Sequence, residues 1–148
     1  MKFYFILFVT VLFISCSLSK KTQNNISCPG AFDLQIQRGH YPALKTNKKN
    51  KTITIYFLYY FNDKIKMFMN EELKFDAMVV TNSTSGMSGK GITYNYSKDP
   101  NLPILKFEID NGNCIDFKAI KKYKFIYLWY DSTKTWTVRF SNKFYSEN

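Results

Sequence analysis

Between Phe32 and Phe140 run after run places apolar side chains at every second position, and no stretch sustains a 3.6-residue repeat. A strand turns successive side chains to opposite faces, whereas a helix needs three-to-four spacing to build one apolar stripe. The chain is therefore confined to strands. Phe32, Leu34 and Ile36 alternate with Asp33, Gln35 and Gln37, which predicts a strand with one wet face. Ile53, Ile55, Phe57, Tyr59 and Phe61 alternate with Tyr56, Leu58 and Tyr60, so both faces are apolar and the run reads as an interior strand. Ile65, Met67 and Met69 continue the rhythm, as do Leu73, Phe75, Ala77 and Val79. Further runs are Ile92, Tyr94 and Tyr96, then Leu105, Phe107 and Ile109, then Ile115 and Phe117. Tyr123, Phe125, Tyr127 and Trp129 form an aromatic run, and Trp136, Val138 and Phe140 close the series.

Turn chemistry separates these runs. Asn62-Asp63, Asn70-Glu71, Asn111-Gly112 and the segment from Asp131 to Lys134 read as tight turns, because Asn, Asp and Gly tolerate positive φ. The Ser, Thr and Gly residues between Thr81 and Gly91 predict a long loop, with Gly86, Gly89 and Lys90 as candidate ligand contacts. Alanine, the strongest helix former, stands only at positions 31, 43, 77 and 119. The pattern predicts an all-β domain of about seven to nine strands. The expected architecture is a predominantly antiparallel β-sandwich, Ig-like or transthyretin-like, or a partly open barrel. Its expected core includes Ile53, Ile55, Phe57, Phe107, Phe125, Tyr127, Trp136 and Val138.

The first residues follow another logic. Lys2 precedes a run from Phe3 to Ile14 that is apolar except for Thr10. Twelve such residues suit the apolar region of a signal peptide, and a bilayer-spanning helix needs about twenty. Leu12-Phe13-Ile14-Ser15-Cys16 resembles the lipobox of bacterial lipoproteins, although Phe13 replaces the usual Leu. That resemblance implies a signal peptide over residues 1–15 and a diacylglyceryl group on Cys16. The polar stretch 16–27 would be a flexible tether, and residues 28–148 a single folded domain. The chain would then be exported and lipid-anchored in the cell envelope, facing the periplasm; plain secretion is the alternative. Signal, composition and strand rhythm together resemble the small lipoproteins of Bacteroidota, a likeness that implies no specific activity.

Cys28 and Cys114 remain as an even pair, and in an oxidising compartment a disulfide and two free thiols are both open. The formal charge of +10 suits anionic headgroups, acidic polysaccharide or an acidic partner, and export excludes nucleic acid. Candidate lysine groups are Lys45–Lys51 and Lys118–Lys124. No catalytic constellation is legible. His40 stands alone, GxSxG is missing, and Gly86-Met87-Ser88-Gly89-Lys90-Gly91 lacks the spacing and the Ser/Thr of a phosphate loop. No metal site or cofactor is implied, and an enzyme is not expected. Trp129, Tyr130 and Trp136 could stack on a sugar, or could fill the core. Two function classes follow: a non-enzymatic envelope protein that binds a partner protein through a sheet edge or the Thr81–Gly91 loop, and a carbohydrate-binding sandwich.

Overall fold

The computed structural model describes residues 28–37 and 51–145, apart from Pro29, Asp99, Pro100, Asn111, Ser132 and Lys134. Cys16, His40 and the 45–50 part of the first lysine group lie outside the described residues. The described chain forms nine strands: β1 (Phe32–Ile36), β2 (Thr52–Leu58), β3 (Asn62–Met69), β4 (Glu72–Val80), β5 (Met87–Asn95), β6 (Ile104–Ile109), β7 (Cys114–Lys118), β8 (Phe125–Tyr130) and β9 (Trp136–Ser141). They build two sheets, ordered β1-β9-β8-β2-β5 and β4-β3-β6-β7. The sheets pack face to face as a sandwich and do not close into a barrel.

The core lies between them. Ile53, Ile55 and Phe57 of β2 and Trp136, Val138 and Phe140 of β9 meet Ile65, Met67, Leu105, Phe107, Ile115 and Phe117 from the second sheet. Phe57 sits edge-on to Phe61 and Phe107, and Phe107 stacks on Phe117. Such offset and edge-on rings add about 0.5–1.5 kcal/mol per pair beyond their area.

Five of the seven strand pairings are antiparallel; β1 on β9 and β2 on β8 are parallel. The parallel pairs arise because the chain repeatedly changes sheet. The expected Asn62-Asp63 hairpin turn is the first departure: both residues lie inside β3. The chain instead turns a corner at Tyr59-Tyr60-Phe61, with Tyr60 at φ 68°, and β3 starts the other sheet. Asn70 and Glu71 both take positive φ and make the expected two-residue hairpin, and Gly112, at φ 84°, sits in the longer turn between β6 and β7.

The aromatic strand faces the opposite way from expectation. Ile126, Leu128 and Tyr130 point into the core, while Phe125 and Trp129 lie half-buried on the outer surface. Both parities of β8 are apolar, so alternation does not choose between them. On the outer parity the Tyr127 hydroxyl reaches hydrogen-bond partners, as a covered tyrosine requires. Tyr127 is covered by the chain's own C-terminal segment. Its hydroxyl donates to Lys143 O (2.7 Å) and accepts from Tyr145 N–H (2.8 Å), while Phe144 meets the rings of Tyr56 and Phe125. Burial pushes the Tyr127 hydroxyl up to about 12 from its usual 10.0.

Candidate functional site

The residues singled out from sequence do not converge. Trp136 and Tyr130 are buried between the sheets, their rings 5.2 Å apart, and neither can stack on a ligand. Trp129 stands apart from them on the outer face of β8. The Arg139 guanidinium lies 4.7 Å above its ring, with Nε and Nη2 both donating to Gln35 Oε1 (2.9 and 2.6 Å). Gln35 in turn donates to Asp33 Oδ2. A row of polar groups thus crosses β1, β9 and β8 beside one half-exposed indole.

The long loop between Thr81 and Gly91 contracts to a short turn. Asn82 Oδ1 accepts from the N–H groups of Thr84 and Ser85, and Gly86, at φ 62°, donates to Asn82 O. Gly86 is buried, and Gly89, Lys90 and Gly91 lie in strand β5 rather than in a contact loop. A Cβ at Gly91 would stand 3.2 Å from both the Tyr56 ring and Ile55 O, closer than ordinary packing, so a side chain there would push its neighbours by a few tenths of an ångström. Lys90 Nζ donates to Met78 O (2.7 Å), tying β5 to β4 across the rim. The glycine pattern signalled a loop, but positive φ accounts for Gly86 and a close approach to β2 for Gly91.

Cys28 and Cys114 are bonded, with their Cα atoms 5.2 Å apart. The bond joins the segment leading into β1, the edge of the five-stranded sheet, to the first residue of β7, the edge of the other. Gly30 passes so close that a Cβ on it would lie 2.0 Å from Cys114 O. A 290 Å³ depression lies beside the bridge, lined by Lys66, Glu108, Ile109, Asp110, Gly112 and Cys114. Lys66 and Glu108 belong to an alternating charge ladder on the outer face of the second sheet, which also holds the Lys106–Glu108 (2.6 Å) and Lys64–Asp76 (3.2 Å) pairs. Among the described residues no group of three His, Cys, Asp or Glu side chains is placed to hold a metal ion.

Sequence reasoning gave no particular edge for a partner; the strand ends of the fold distinguish β1. Gln37 N–H donates to Phe140 O, so the odd-numbered residues of this strand turn their backbone groups toward β9. Phe32, Leu34 and Ile36 therefore direct theirs away from the sheet. Leu34 and Ile36 are also 49% and 39% exposed, although they lie on the core-facing side. Strand edges are usually blunted by lysine, proline or a bulge. β4 carries Lys74, β5 carries Lys90 and a register break, and β7 carries Lys118 and the disulfide. Phe32–Ile36 has none of these and keeps regular register over all five residues.

No protein-family model, no curated protein and no solved structure matches this chain.

Proposed function

We propose that the chain is an exported, non-enzymatic protein of the cell envelope, anchored by lipid on Cys16, that binds a partner protein by strand addition to β1. The observation that carries the binding mode is the unblunted edge, where outward backbone groups coincide with exposed Leu34 and Ile36. In strand addition the backbone ladder supplies affinity and alternate side chains supply selectivity. The lipobox-like Ser15-Cys16 supports the anchor, and the Cys28–Cys114 bond is in keeping with an oxidising compartment.

Leu34→Pro separates the edge from the fold. Proline there removes an N–H that faces away from β9, so the native ladder keeps its bonds. In cells, a photo-crosslinking residue at Ile36 is expected to give a defined adduct with an envelope protein. Leu34→Pro should abolish that adduct while changing the melting temperature by only a few degrees. The same adduct formed from Leu73, on the β4 edge, would count against β1. Labelled fatty acid should enter the chain and be lost in Cys16→Ala; a soluble, unmodified product would remove the anchor.

The Trp129–Arg139–Gln35 row favours a second reading, a carbohydrate-binding sandwich, in which the indole flank and the guanidinium contact sugar rings and hydroxyls. Trp136 is enclosed, so ligand quenching would act on Trp129 emission alone. Saturable quenching by one member of a glycan panel, abolished in Arg139→Ala, is the expected result under this reading. A flat response across the panel would discard it.

A further inference from the structure

The strand directions sort the charged residues to the two ends of the sandwich. Cys28, the starts of β1, β7 and β9 and the turn at Gly112 lie at one end, stitched by the bond from Asn113 Nδ2 to Tyr130 OH (2.6 Å). Asp63, Asp110 and Asp131 are at or near this end. At the other end the starts of β2, β6 and β8 meet the ends of β5, β7 and β9. Lys51, Lys98, Lys118, Lys121, Lys122 and Lys124 all lie there. Their segments are bound together: Tyr96 N–H donates to Lys51 O (2.7 Å), Thr54 N–H to Lys124 O (2.8 Å) and Asn142 Nδ2 to Lys122 O (2.9 Å). None of the six lysines has a carboxylate partner among the described residues; the ion pairs found there use Lys64, Lys74 and Lys106. Glu71 and Glu72 also sit at this end, on the β3–β4 turn, with Glu72 paired to Lys74.

We propose that this lysine-rich end binds an anionic polysaccharide, one carrying carboxylates along its length. Lysine ammonium groups are mobile point charges without the planar fork of arginine, so they suit repeated, loosely placed anions rather than one oriented carboxylate. Protein interfaces are depleted in lysine, which makes an acidic protein the poorer fit. The anchoring membrane is the poorer fit by position, because Cys28 lies at the end of the sandwich opposite the lysines, an argument that rests on the proposed lipid on Cys16. Strands of nine residues, such as β4 and β5, are about 30 Å long. The tether leaves from the Cys28 end, so the lysines stand away from the bilayer it enters.

The test uses the purified full chain in detergent micelles with soluble polygalacturonate. Binding is expected at low salt and release as ionic strength rises, because the Debye length falls from about 10 Å at 0.1 M to about 3 Å at 1 M. Lys121→Gln, Lys122→Gln and Lys124→Gln together should weaken binding at least tenfold. Lys64→Gln, Lys66→Gln and Lys106→Gln remove the same charge from the second sheet and should leave it nearly unchanged. Equal weakening by both triple variants would overturn the site, since bulk charge alone would then explain binding. Tighter binding to phosphatidylglycerol vesicles than to the polymer would overturn the choice of ligand. Cys16→Ala protein should bind the polymer like the parent, so loss of the anchor and loss of this site are told apart.

Discussion

Cys114→Ser is expected to destabilise the domain by about 4–5 kcal/mol, the largest effect of any single change outside the core. The bridge closes a loop of sequence separation 86, and in the chain-entropy model a loop of that length removes about that much freedom from the unfolded state. A small domain has only about 5–15 kcal/mol in total. The effect should also be local. β1 is held by a five-residue parallel ladder to β9, by the Gln35–Arg139 bonds and by the contact of Phe32 with Phe117 at 5.8 Å. Without the bridge nothing covalent holds its leading segment against β7. In hydrogen exchange the amides of Asp33, Gln35 and Gln37 should lose protection before those of β2 or β8. Urea titration with and without reductant measures the first effect. An unchanged midpoint after full reduction would show that the bridge constrains nothing the ladder does not already hold.

Much of the fold was legible because β structure writes itself into sequence at period two. Ile53, Ile55 and Phe57 point to the core as their alternation implies, and Asn70-Glu71 and Gly112 turn where their chemistry allows. The failures share a cause. Periodicity says that a segment is a strand, but not which strand it joins, so the parallel β1–β9 and β2–β8 pairings were not foreseeable. Where both parities are apolar, as in β8, the signal loses its direction. Asn62-Asp63 carried a hairpin's composition, yet the chain turned two residues earlier, at Tyr60, because β2 and β3 belong to different sheets. The lysines at one end were visible as the Lys118–Lys124 cluster. Their joining with Lys51 and Lys98 needed the strand directions. The β1 edge, unpaired among the described residues, needed the sheet order, since Leu34 and Ile36 look in sequence like ordinary core residues.

Trp136→Ala is expected to cost about 3–5 kcal/mol, a large share of the about 5–15 kcal/mol that a domain of this size has. The indole is fully enclosed, with ring centroids of Tyr130, Phe61 and Phe107 at 5.2, 5.9 and 6.5 Å. It therefore joins β8 of its own sheet to the second sheet through β6 and the β2–β3 corner. Truncation leaves a cavity bounded by strands on both sides, which a sandwich cannot close without shifting one sheet on the other. Its Nε1–H has no hydrogen-bond partner among the described residues. An unmet buried donor costs about 1–3 kcal/mol, so part of what the indole contributes by packing is already offset. Trp136→Phe keeps an aromatic ring and removes that donor, and its loss should fall well below that of the alanine variant. Chemical denaturation followed by far-UV circular dichroism checks both variants. A phenylalanine variant as unstable as the alanine one would show that the indole's full volume, and not its ring alone, holds the two sheets in register.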